Sequence, residues 1–195
     1  MKRKNTARRG FTIVEVLVVI GILMVLVVVS LLFLNPSQLI RQGRDSNRLS
    51  DLSSLNESIS LYHETTPGGS LGSSGIVYVS IPDQNATSTA GTNCSGLNLP
   101  SLGTGTYHCA ASSTYRNIDG TGWLPVNFST VAGKPFSVLP VDPINTSSSK
   151  EYYVYVVSGT QYEVLANPEA QKILTSSTSS FTQGNTNTIL ASFPS

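Results

Sequence analysis

Residues 8–34 read RRGFTIVEVLVVIGILMVLVVVSLLFL. From Phe11 to Leu34 the apolar run is interrupted only at Thr12, Glu15, Gly21 and Ser30. As a helix it would span roughly 36 Å at 1.5 Å per residue, enough to cross a hydrocarbon core of about 30 Å. Ten residues precede it, and five of them are basic: Lys2, Arg3, Lys4, Arg8 and Arg9. Positive charge on the short flank predicts an N-terminus in the cytoplasm and the remainder outside. Arg41, Arg44 and Arg48 follow the span, but Asp45 and Asp51 lie among them, so the bias stays with the N-terminal flank. A secretory signal peptide is disfavoured on two counts. The run is too long, and it ends Leu32-Phe33-Leu34-Asn35-Pro36 without a small-residue cleavage pattern. Glu15 separates the segment from a plain anchor. A carboxylate deep in the bilayer costs about 2.5–3.5 kcal/mol on insertion scales, and such residues mark function. The alternative is a shallow Glu15 that snorkels or takes a proton.

The averages conceal this segment. The 195 residues are 39% apolar and 12% charged, with 12 Lys+Arg against 11 Asp+Glu. The near balance argues against a generic nucleic-acid binder, and the apolar content argues against a disordered chain. Five of the basic residues lie in the first ten positions, so a chain without them would be mildly acidic.

The string Arg8-Arg9-Gly10-Phe11-Thr12-Ile13-Val14-Glu15-Val16-Leu17 resembles the class III signal of type IV pilins and type II secretion pseudopilins. The resemblance implies a leader of residues 1–10, cleavage by a prepilin peptidase between Gly10 and Phe11, and N-methylation of Phe11. It also implies that residues 11–34 stay on the mature protein as a transmembrane and filament-core helix. Glu15 would then pair with the N-terminal amine of a neighbouring subunit, which fits the rule that a buried carboxylate is tolerable beside a cation.

Beyond the span, Asn35-Pro36 reads as a break and restart, Asn as a cap and Pro at a first helical position. Leu39, Ile40, Leu49, Leu52, Leu55, Ile59 and Tyr62 recur at three- and four-residue spacing, with Arg44, Arg48, Asp51 and Glu57 mostly between them. This predicts an amphipathic stem helix over residues 35–64, stopped by Thr65-Thr66-Pro67-Gly68-Gly69. Phe11 to Glu64 is expected as one long, kinked helix whose stripe packs on a head, residues 65–195. That head is Ser/Thr-rich with only ten charged side chains. Strands are expected at Ile76–Ile81, Phe136–Leu139, Tyr152–Ser158 and Tyr162–Ala166, the last two joined by a type II′ turn at Gly159-Thr160. A Ser/Thr/Asn tail follows from about Leu174. The fold class is α+β, a small antiparallel sheet on a long N-terminal helix, as in type IV pilins.

Cys94 and Cys109 are the only cysteines, and in an oxidising compartment they predict a disulfide across a long loop. Two free buried thiols are the alternative. With His63 and His108 far apart in sequence, they make a poor zinc set. The segments GTGWLPVNF, LPVDPIN and YYVYVVSGTQYEVLA resemble the head of the major type II secretion pseudopilin. That relative holds calcium before its terminal strands, where Asp142, Asn145 and Asp119 are oxygen donors here. The D-x-[DN]-x-[DN]-G spacing is absent and the ligand count is short of six, so Asp142 reads as a turn former and no cofactor is expected. No G-x-S-x-G, H-E-x-x-H, P-loop or helix-opening G-x-G-x-x-G is present, and no catalysis is expected.

The reading is therefore a structural subunit, membrane-anchored with its head outside and then part of a surface filament. The resemblance names its partners: prepilin peptidase, further copies, minor pilins and the inner-membrane assembly platform. Nucleic acid is not expected, since Arg116, Lys134, Lys150 and Lys172 are the head's only basic residues. A minor tip pilin acting in adhesion or DNA uptake is the alternative, and an anchored extracytoplasmic enzyme is a third class.

Overall fold

Thr12 starts the first helix because its side chain accepts the orphan N–H of Glu15 at 3.3 Å while its own backbone stays extended. The computed structural model describes residues 10–86, 94–102, 105–170 and 181–184, and the chain divides into two compact units, residues 1–40 and 41–195. The whole five-residue basic cluster and most of the Ser/Thr/Asn tail lie outside the described residues.

In the first unit, helix α1 runs Ile13–Leu34 and ends at Asn35, which takes a left-handed conformation at φ 39°. Pro36 opens helix α2, Pro36–Thr65, and the Asn35 carbonyl accepts the N–H of Gln38 at 3.0 Å. One residue thus closes α1 and starts α2. The expected break is present as two helices rather than one.

In the second unit, α2 buries Asp45, Arg48, Leu52, Leu55, Ile59 and Tyr62. Their spacing of three and four is a regular seam that includes two ionisable residues, Asp45 and Arg48, the latter expected between the apolar positions. Leu49, placed on the stripe by spacing, is exposed. Against this seam lies a five-stranded sheet of order β2-β1-β3-β4-β5. Its strands are β1 Ile76–Asp83, β2 Thr106–Ala111, β3 Tyr153–Ser158, β4 Gln161–Ala166 and β5 Phe181–Gly184. All pairings are antiparallel except β1 with β2, which run parallel. The β3–β4 hairpin turns at Gly159, whose φ of 64° suits the first central position of a type II′ turn.

Strand alternation divides the core in two. Tyr78, Tyr153, Tyr155, Tyr162 and Val164 join Leu52, Leu55 and Ile59 on the α2 side. Val77, Val79, Tyr152, Val154, Val156 and Leu165 form the opposite face, against which Leu97, Leu99 and Leu102 pack. Central strand β3 is buried on both faces, which is why its sequence is apolar or aromatic without alternation. The tyrosines facing α2 bury their rings and satisfy their hydroxyls. Tyr153 donates to Asp51 at 2.8 Å and Tyr155 to the Leu71 carbonyl at 2.8 Å, while the Tyr162 hydroxyl lies 2.8 Å from Asn56 Oδ1.

The expected strand at Phe136–Leu139 is absent. Pro135 and Pro140 frame it, each without an N–H to give a ladder. Leu139 instead exchanges bonds with Arg116: its N–H donates to the Arg116 carbonyl at 2.8 Å, and Arg116 Nε donates to the Leu139 carbonyl at 3.1 Å. The same loop inserts Trp123, Leu124, Val126 and Phe128 into the α2-side core. Gly122 is required there, because a Cβ would stand 2.2 Å from the Asn117 carbonyl oxygen. The disulfide forms between Cys94 and Cys109, with a Cα–Cα distance of 5.5 Å. It ties the segment carrying Leu97, Leu99 and Leu102 to β2.

Candidate functional site: the amino-terminal segment and the ion cluster of the head

Gly10 and Phe11 lie in non-helical backbone directly before the α1 cap, and both are exposed. An added Cβ at Gly10 would meet no atom of the described residues within 4 Å, so none of them requires glycine at that position. Glu15 occupies the first turn of α1, three residues after the capping Thr12. The helix dipole favours a carboxylate there. Thr12-x-x-Glu15 is half of a capping box, a local signal that the apolar run obscures. Along the rest of α1 the large apolar side chains described are 42–85% exposed, and none of the span Ile13–Leu31 is buried within the chain. Its polar interruption at Ser30 is satisfied internally, the hydroxyl donating to the Leu26 carbonyl at 2.8 Å.

Residues 5–31 match the family profile described as the prokaryotic N-terminal methylation motif. The chain thus carries the class III prepilin signal of type IV pilins and pseudopilins, and the motif runs straight into an apolar helix long enough to span a membrane. No curated protein and no solved structure matches the chain. The head is therefore read from its own geometry.

That geometry contains an ion cluster that sequence reading missed. The Arg48 guanidinium is fully buried. It donates through Nε and Nη2 to Asp142 at 2.5 and 3.0 Å, through Nη1 to Asp45 at 2.7 Å, and lies 2.6 Å from Glu169 Oε1. Arg44 closes the cluster from α2, its Nε donating to Glu169 at 2.8 Å and its Nη2 pairing with the second oxygen. Asp45 also accepts the backbone N–H groups of Glu169 and Ala170, at 3.0 and 2.8 Å. Asp142 accepts those of Ile144 and Asn145, at 2.8 and 3.3 Å. Three carboxylates and two guanidiniums thus pin the Asp142 loop and the segment after β4 to α2.

Burial on its own would lower the pKa of Arg48, but its bonds to Asp142, and then to Asp45 and Glu169, hold it above the usual arginine value. The bond from Arg44 keeps Glu169 below the usual carboxylate range, aided by Arg48. Outside the cluster, burial raises Asp51. The signal in the sequence was the heptad position of Asp45 and Arg48, in register with Leu52, Leu55, Ile59 and Tyr62.

The three oxygen donors considered for calcium are committed to other partners. Asp142 engages Arg48 with both oxygens. Asn145 accepts from the Ser80 hydroxyl at 2.6 Å and donates to the Ser80 carbonyl at 3.0 Å. Asp119 accepts from the hydroxyl and N–H of Thr121, which hold its carboxyl below the ordinary range. Asp142 is thus a turn former and an ion-pair partner together. His108, in β2 beside Cys109, packs on the Tyr78 ring at 5.0 Å, and burial lowers its pKa.

Proposed function

We propose that the chain is a structural subunit of a type IV pilus or a type II secretion-like pseudopilus. Hydrolysis of the Gly10–Phe11 bond by prepilin peptidase removes the basic leader, and the new Phe11 amine is N-methylated. The apolar helix holds the subunit in the cytoplasmic membrane, N-terminus inside and head outside. During assembly it leaves the lipid and joins the helices of other copies and of minor pilins above the membrane platform. The observation that carries this reading is the methylation motif continuous with an apolar helix whose span Ile13–Leu31 has none of its residues buried among the described residues.

Glu15 takes the assembly role. In an apolar bundle an uncompensated carboxylate is costly, and a neighbour's Phe11 amine would compensate it. Thr12 supports that role by fixing the turn on which Glu15 stands. The head is assigned no catalytic activity, cofactor or nucleic-acid partner. Its role is the filament surface, with the disulfide and the ion cluster keeping it folded outside the cell.

Sequencing of the mature N-terminus tests this directly. A start at N-methylated Phe11 is expected, and a start at Met1 defeats the proposal. Immunogold labelling then separates the roles. Label along whole shafts marks the repeating subunit, whereas label confined to tips reassigns the chain to a minor adhesion or DNA-uptake component.

A further inference from the structure

Residues 116–119 and 137–138 line a cleft of about 240 Å³ that lies wholly within the second unit. Phe136 packs on the Phe128 ring at 5.6 Å and Leu139 is buried in the core, which leaves Ser137 and Val138 exposed between them. The facing wall is held by backbone bonds. The Asn117 N–H donates to the Thr114 carbonyl at 2.7 Å, and the Ile118 carbonyl accepts the N–H of Phe128 at 2.8 Å. The two mutual bonds of Arg116 and Leu139 tie the walls together. The cleft is therefore shaped before a ligand arrives, which lowers the cost of binding.

Its polar groups keep unused capacity. Arg116 is anchored through Nε, and its two Nη groups make no hydrogen bond or salt bridge among the described residues. Its charge reaches Asp51, whose carboxylate already holds the Tyr153 hydroxyl. The tether sets Arg116 apart from Lys134 and Lys150, exposed residues whose ammonium groups have none among the described residues. Asp119 accepts from Thr121 through Oδ1, and those bonds favour its ionised form while leaving Oδ2 open among the described residues. The Asn117 amide donates to Thr121 and keeps its oxygen, and Ser137 adds a hydroxyl. No salt bridge among the described residues joins Arg116 to Asp119.

Opposite charges in one cleft, unpaired, with two further acceptors and apolar Ile118 and Val138, define the ligand. It carries an anion for the guanidinium, several hydroxyl donors for the acceptors, and a C–H face for the apolar side chains. A metal ion does not suit a cleft that holds a guanidinium. A neutral sugar leaves Arg116 idle, and the lone ammonium of an amino acid leaves acceptors idle. At about 240 Å³ the cleft is below the range of roughly 300–1,000 Å³ for drug-sized ligands, so it takes a single ring. Its exposed rim lets a longer chain continue on either side. We propose that this cleft binds one acidic sugar unit of a polyuronate, with the carboxylate on the Arg116 Nη groups and ring hydroxyls on Asp119, Asn117 and Ser137. The site lies in the head alone, so the inference stands apart from the polymer reading.

Calorimetric titration of the detergent-solubilised full-length chain with galacturonate, its methyl ester and alanyl-alanine tests this. A Kd of about 1 mM is expected for galacturonate, since so few atoms limit the affinity. The ester and the dipeptide are expected to bind at least about tenfold more weakly, because each lacks either the anion or the hydroxyls. Arg116→Gln abolishes the preference for acid over ester, whereas Asp119→Asn weakens both about fivefold and keeps the preference. Thermal midpoints within about 2 °C of wild type show that each variant is folded. Should Arg116→Gln fail to fold, the wild-type preference and Asp119→Asn decide the matter. No heat from galacturonate at about 20 mM, equal binding of acid and ester, or an unchanged Asp119→Asn variant overturns the proposal. Binding of the dipeptide as tight as galacturonate overturns the sugar assignment.

Discussion

Arg48→Met tests whether the head is held on its stem helix by charge. The substitution keeps a long apolar side chain but removes the guanidinium. Asp142 loses two bonds, of 2.5 and 3.0 Å, Asp45 loses one of 2.7 Å, and Glu169 loses a contact of 2.6 Å. Each carboxylate keeps something: backbone N–H groups at Asp142 and Asp45, and Arg44 at Glu169. Removing one partner of a buried ion pair costs about 3–5 kcal/mol. A domain of about 150 residues loses about 2–4 °C of midpoint per kcal/mol, so the expected fall is about 6–20 °C at pH 7.

The pH dependence gives a second reading. In the wild-type chain Glu169 is depressed by Arg44 and Arg48, so its contribution is present above the ordinary carboxylate pKa and is lost as pH falls through the lowered value. In the variant, acid neutralises an uncompensated buried charge, so the deficit against wild type narrows from pH 7 toward pH 4. Circular dichroism melts of the detergent-solubilised chain at both pH values measure both effects. A midpoint within 2 °C of wild type at pH 7, or a deficit that widens on acidification, would refute the reasoning.

Gly10→Val is expected to leave the fold intact, since no described atom lies within 4 Å of the added carbon, yet the precursor accumulates at its uncleaved size on an immunoblot. Processing at the normal rate would show that cleavage lies elsewhere. Cys94→Ser with Cys109→Ser removes a cross-link closing about 16 residues, worth about 3 kcal/mol in the chain-entropy model. Reduction of the wild-type chain is expected to reproduce that loss, and a midpoint insensitive to reduction contradicts it. Glu15→Ala inserts into the membrane as well as wild type but yields few filaments, and normal filament yield counts against the pairing.

What could be read from residues alone was what local chemistry decides. The apolar run, the Asn35-Pro36 restart, β1 and the β3–β4 hairpin with its Gly159 turn each carry their cause within a few residues. The processing signal is equally local. The ion cluster was hidden because Arg48 meets Asp142 94 residues away, and Glu169 lies 125 residues from Arg44. Without those partners, a charged residue on a helix is read as solvated. Strand β2 was missed because its parallel pairing with β1 depends on a long connection and a disulfide. Pro135 and Pro140 were visible around the expected strand at Phe136–Leu139, and their missing donors outweighed its β propensity.

The head and the apolar helix are stabilised in different places. The second unit bonds the hydroxyls of Tyr153, Tyr155 and Tyr162 and the charges of its Arg48 cluster from within. Helix α1 satisfies its backbone, its cap and Ser30, but covers none of its span Ile13–Leu31. Lipid tails are as apolar as valine and leucine, so passage from bilayer to bundle brings little hydrophobic gain. Discrimination between lipid and neighbour must come from packing and from the few groups that lipid serves badly. Of the polar side chains of α1, Ser30 has a partner, and the Glu15 carboxylate has none among the described residues. On the proposed reading, a single carboxylate, costly in hydrocarbon and compensated by a neighbour's amine, would give this helix a reason to prefer a neighbour over lipid.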